Sequence, residues 1–194
     1  MGLLILIAGL LVFLATHVFV TFRAQRAKLI ARLGNGYRVL FGLVSLLGLA
    51  LIVWGYADYR ATQWTVIWNP PRFMHHITVG LMLPAVILAL AAYLPSHIRQ
   101  WTKHPMLAAI KTWAFAHLLS NGDLGSILMF GAFLGWAIYA FATAKRRTDA
   151  APKEQPSGWL NDIIAVGLGF VLYLALGYVF HPVVIGVPVF GHGA

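Results

Sequence analysis

No cysteine occurs anywhere in this chain of 194 residues. Disulfides, thiolate-bound zinc, iron–sulfur clusters and covalent c-type haem attachment are therefore all excluded. Acid is scarce as well, with only 5 Asp and Glu in all. Asp58, Asp123 and Asp162 stand near the ends of apolar runs, far apart in sequence, so hydrolysis by paired carboxylates has no natural home. The chain lacks HExxH, Walker, GxGxxG and GxSxG patterns, which removes the common metalloprotease, nucleotide-binding and serine-hydrolase readings. Charge of either sign makes up 10% of the residues. A soluble domain carries about 25%. So little charge cannot cover a water-facing surface.

What the chain does have is apolar length. Hydrophobic residues make up 60% of it. A helix needs roughly 20 apolar residues to cross a hydrocarbon core of about 30 Å. Six stretches approach that length, at 2–22, 37–57, 76–94, 105–121, 124–143 and 159–180. The expected fold is all-α, a polytopic membrane helix bundle of about six spans forming one domain over residues 1–194. Asn121-Gly122-Asp123 marks a turn between the fourth and fifth runs, Pro105 suits the first turn of the fourth, and Pro84 is expected to kink the third.

The formal charge of +9 would suggest nucleic acid in a soluble protein, but the basic residues sit in loops beside apolar runs, so no nucleic-acid partner is expected. The first run starts at residue 2 with its positive charges after it, at Arg23, Arg26 and Lys28. That order predicts a retained span with the N-terminus outside. The loops then assigned to the inside hold eleven Lys and Arg, against Arg60 and Arg72 outside, with Lys111 inside a span. This is the positive-inside pattern, and an even number of spans puts the C-terminus outside too. Residues 23–36 read as a short amphipathic surface helix, residues 144–158 as a mobile polar loop, and Trp64 and Trp68 as interfacial anchors.

Eight histidines in so apolar a chain are the chemical lead. Ionisable residues inside spans are expensive and point to function. His17, Lys111 and His117 are the informative ones. His75, His76, His104 and His181 lie near span ends, and His97 and His192 in loops or the tail. Imidazoles from two helices can clamp a metal or haem iron, and they can equally serve as hydrogen-bond donors between helices. His104 and His117 are thirteen residues apart, roughly 20 Å along a helix and about 140° around it, so one site cannot easily use both. His104 and Lys111 share a face. Lys111 suits a propionate or other anion, or Asp123.

The stretches LLVFLATHVF, GYRVLFGLVSLLGLALIVWGY, HPMLAAIKTWAFAHLLSNGDLGSILMFGAFLGWAIY and YVFHPVVIGVPVF resemble the NnrU family over nearly the whole chain, most specifically in HPM…AHLLSNGD. That family is linked by name to nitrite and nitric oxide reduction in denitrifying bacteria. It is similar to the 15-cis-zeta-carotene isomerases, membrane proteins that hold haem b between two histidines. The resemblance implies a haem b protein of the bacterial inner membrane, with His17 and His117 as axial ligands to the iron. Activity as an electron-transfer or gas-sensing element follows, with a membrane redox partner or nitric oxide as partners besides the lipid bilayer. A redox-gated cis–trans isomerase of a carotenoid-like substrate is the alternative, although the segment from Gly131 to Lys153 lacks the isomerases' additional histidines. A cofactor-free assembly factor is the third reading. With the topology above, His17 and His117 differ in depth by about 10 Å, close to the limit of roughly 12 Å that two imidazoles can span. His104 is the fallback ligand opposite His17.

Overall fold

The computed structural model describes residues 1–146, 156 and 158–190, and among these the fold is all-α. A chain in lipid must satisfy its backbone hydrogen bonds within each segment, and helices do so. The helices are α1 (Gly2–Phe19), α2 (Arg23–Leu33), α3 (Gly36–Thr62), α4 (Arg72–Ala91), α5 (His97–Thr102), α6 (Pro105–Ser120), α7 (Leu124–Lys145) and α8 (Leu160–Ala175). α8 continues as a π-helix over Leu176–Ile185. The six expected runs coincide with α1, α3, α4, α6, α7 and the α8–π rod. Five of them are long and apolar enough to cross a membrane by length and composition. The exception is α6, whose 16 residues reach about 24 Å. Most of the expected polar loop at 144–158, and His192, lie outside the described residues.

The described residues fall into two compact units, one built from Met1–Asn69 with Asn121–Thr143 and the other from Pro70–Ser120 with Ala144–Ala194.

In the first unit α1 and α3 run antiparallel with their backbones in direct contact. A Cβ on Gly2 would meet Tyr59 N at 2.2 Å, one on Gly9 would meet Ile52 N at 2.6 Å, one on Gly48 would meet Phe13 N at 2.8 Å, and one on Gly55 would meet Leu6 N at 2.3 Å. The residue numbers of each facing pair total 61, which defines a single register. Without a hydrophobic drive between helices in lipid, such small-residue contacts supply the packing. The far side of α3 carries Val39, Leu43, Leu46, Leu47, Val53 and Trp54, all exposed, as expected of a lipid-facing stripe. α7 lies along the pair. Its Ser126 hydroxyl meets the Tyr56 hydroxyl at 2.6 Å, and its Tyr139 hydroxyl meets that of Thr21 at 3.1 Å. The Asn121–Asp123 turn does more than reverse the chain. Asp123 forms an antiparallel bridge with Val66, and its Oδ1 accepts from Ser126 N at 2.9 Å, capping α7. α2 has no buried residue and stops at Gly34, whose N–H reaches the Ile30 carbonyl and whose φ of 53° turns the chain out of the helix.

In the second unit α4 packs against both α6 and α8. Thr78, buried on α4, donates to the Ala116 carbonyl at 2.7 Å and also contacts the Ser120 hydroxyl. Gly169 of α8 leaves room for Ile87 of α4. Pro84 lies within α4 without ending it. The start of α8 is tied to α5, because the Asp162 carboxylate accepts from the backbone N–H groups of His97 (3.2 Å) and Ile98 (2.9 Å) and from His97 Nδ1 (2.9 Å). The His97 ring stacks on Trp159 with centroids 4.2 Å apart. Beyond the π-helix the chain turns back, so that Phe190 lies over Gly177 and the Val189 carbonyl meets His75 Nε2 at 3.0 Å.

Candidate cofactor site

His17 and His117 belong to different units. His17 sits near the end of α1, where its Nδ1 lies 2.7 Å from the Phe13 carbonyl one turn back. Its ring stacks on Phe13 at 4.2 Å, lies 5.3 Å from Phe41 of α3 and meets the edge of Trp136 of α7 at 5.6 Å. The Trp136 indole N–H in this cluster is buried and has no hydrogen-bond partner among the described residues.

In the second unit the described neighbour of His117 is His181, with ring centroids 6.4 Å apart and planes 22° from parallel. α6 presents His117 on the same face as Trp113, one turn earlier, and the two rings lie 5.4 Å apart. His117 Nδ1 lies 2.8 Å from the Trp113 carbonyl. His181 lies in the π-helical stretch. Its neighbour Pro182 has no N–H, and in an α-helix its ring would collide with the carbonyl four residues back, so the wider π turn accommodates it. The change of register shows in the imidazole bond. His181 Nδ1 takes the Leu176 carbonyl five residues back at 2.8 Å, whereas His17 and His117 each take one four residues back.

The three rings thus share one arrangement. A carbonyl can only accept, so Nδ1 carries the proton in each, and Nε2 is the nitrogen with the lone pair. Outer contacts of this kind fix the tautomer and orientation of ligating histidines. A metal–imidazole bond is about 2 Å and the ring nitrogen lies about 1.1 Å from the ring centre, so two rings trans across one metal have centres about 6 Å apart. The His117–His181 spacing of 6.4 Å agrees with that figure. Among the described residues no group of three or more His, Asp or Glu could hold a bare metal ion. A porphyrin brings four nitrogens of its own and asks the protein for only two.

The other sequence candidates lie elsewhere on α6. Lys111 is six residues before His117, rotated about 120° from it. His104 is at the opposite end of the helix, beside Lys103 and Pro105. The sequence puts His181 at a span end, within the YVFHPVVIGVPVF stretch that resembles the family, and assigns it no role. The one signal for its role is the adjacent Pro182, which bars ordinary helix geometry in an apolar run.

The apolar helices define a polytopic α-helical membrane protein. Residues 5–189 match the NnrU protein family, and the chain belongs to it. No curated protein and no solved structure gave a match.

Proposed function

We propose that this protein binds haem b within the bacterial inner membrane, with His117 and His181 as axial ligands, and supports nitrite and nitric oxide reduction by electron transfer or gas sensing. The observation that carries the reading is the 6.4 Å spacing of two near-parallel imidazoles whose Nδ1 atoms are both held by backbone carbonyls. Bound haem would supply one-electron chemistry and, once a ligand leaves, a position for a diatomic gas. The chain's own part is to present two lone-pair nitrogens and to surround them with apolar side chains that keep water out. The family's name supports the link to denitrification.

The test is the visible spectrum of the purified protein, oxidised and reduced. A sharp Soret band is expected in the parent. His117→Ala and His181→Ala should each abolish the low-spin six-coordinate spectrum or lose the haem. Unchanged spectra in both variants would overturn the assignment. A second reading, with His17 as an iron ligand, is favoured by the unpartnered Trp136 N–H beside its ring, which is a donor in want of an acceptor. It predicts that His17→Ala removes the band while His181→Ala leaves it.

A further inference from the structure

At the α5–α6 turn a cavity of about 200 Å³ is lined by Arg99, Lys103, His104, Pro105, Met106 and Leu107, with Ala92 of the α4 end. Three of these side chains are basic or can become so, and no Asp or Glu lines the space. Arg99 and Lys103 have no carboxylate partner among the described residues. Lys103 is the one described non-glycine residue with positive φ, at 62°. The tight reversal there, with His104 N donating to the Thr102 carbonyl at 2.7 Å, swings Arg99 and Lys103 alongside the first turn of α6. That turn has no acidic residue; Pro105 has no N–H and Ala108 N donates to the His104 carbonyl at 3.0 Å, which leaves the N–H groups of Met106 and Leu107 without a partner within the helix. Helix end and side chains therefore present positive potential to one small space.

The surroundings indicate depth. Tyr93 follows Ala92 and is 76% exposed, Trp101 lies between Arg99 and Lys103 and is 68% exposed, and Trp159 touches Trp101 and is 59% exposed. Large aromatic rings with polar tips, exposed together at helix ends, mark the level of the lipid headgroups. Arg99 and Lys103 are also among the residues that the charge pattern assigns to the inner face, where anionic lipids concentrate.

We propose that this cavity binds a phosphate group, and that its source is the headgroup of an anionic phospholipid of the inner leaflet. Arg99 and Lys103 pair with the phosphate oxygens, Met106 and Leu107 in the first turn of α6 donate their N–H groups, and the aromatic rim seats the glycerol end. The inference is independent of the haem reading.

The test uses the full-length protein, purified in detergent and titrated separately with short-chain phosphatidylglycerol, phosphatidylcholine and inorganic phosphate, with the thermal midpoint as readout. Phosphatidylglycerol is expected to raise the midpoint and phosphatidylcholine to leave it unchanged. The apparent affinity for phosphatidylglycerol should fall about 25-fold in Arg99→Gln/Lys103→Gln, each residue contributing about a factor of five. Lys28→Gln/Arg32→Gln, which removes the same charge from exposed α2, should respond as the parent does and so controls for nonspecific attraction. A shift with inorganic phosphate alone would support the phosphate site and overturn the lipid as its source. If neither compound shifts the midpoint, or if both double variants respond equally, the proposal is overturned. Should the Arg99/Lys103 variant not fold, native mass spectrometry of the parent, counting phosphatidylglycerol retained against phosphatidylcholine, decides the matter by the same criterion.

Discussion

Replacing Gly55 by alanine adds one methyl group where α3 meets α1. The new Cβ would stand 2.3 Å from Leu6 N and 2.7 Å from Leu6 Cα. Ordinary carbon contacts are about 3.5–4 Å, so the helices must part by about 1 Å. The obstructing atoms are backbone, which no rotamer change can move aside. Parting by that much forfeits a quarter to a half of the dispersion energy at each neighbouring contact. Overpacking of this kind costs about 1–3 kcal/mol, against which alanine's better helix propensity returns at most about 1 kcal/mol. The expected net loss is about 1 kcal/mol, and about 2 kcal/mol at most. Gly42 is the internal control. It lies on the same helix, and a methyl group added there would meet nothing within 4 Å, so Gly42→Ala should be neutral or up to about 1 kcal/mol more stable. The assay is unfolding of the purified protein in mixed micelles by rising dodecyl sulfate fraction, followed by far-ultraviolet circular dichroism. Gly55→Ala as stable as Gly42→Ala would refute the reasoning and the tight α1–α3 contact with it.

Asp162→Asn keeps one acceptor but turns an amide N–H₂ toward the N–H of either His97 or Ile98, so the thermal midpoint should fall by the equivalent of about 1–3 kcal/mol; an unchanged midpoint would mean that the carboxylate does not anchor α5. Gly177→Ala puts a Cβ 2.1 Å from the Phe190 ring, and the expected result is faster amide exchange over residues 187–190 with little change in global stability. For the haem reading, His181→Ala and His117→Ala should alter the visible spectrum to the same degree, since each would leave the iron one ligand short.

Much of this architecture is legible in the sequence because lipid is a severe solvent. It forces helices, and it sets their length, so the apolar runs and the helices agree to within a few residues at most ends. Gly34 and Asn121-Gly122 can be read as breaks for local reasons, one needing positive φ and the other unable to sustain a helix. The six-residue α5 carries one local mark, the N-cap Ser96, whose hydroxyl accepts from Arg99 N. Its first two N–H groups are taken by Asp162, a contact from 64 and 65 residues away that spacing does not show. The candidate site is half legible. His117 stands out as an ionisable residue in an apolar run, and the family resemblance suggests a role for it. Its neighbour His181 cannot be found by spacing, because their approach depends on how α4 gathers α6 and α8, and on a π turn that shifts every later side chain.

The glycine contacts between α1 and α3 also act as an index. With facing numbers totalling 61, Gly2, Gly9, Gly48 and Gly55 stand opposite Tyr59, Ile52, Phe13 and Leu6, so every close backbone approach along the pair belongs to one setting. That single setting carries His17 of α1 to a set height beside Phe41 of α3.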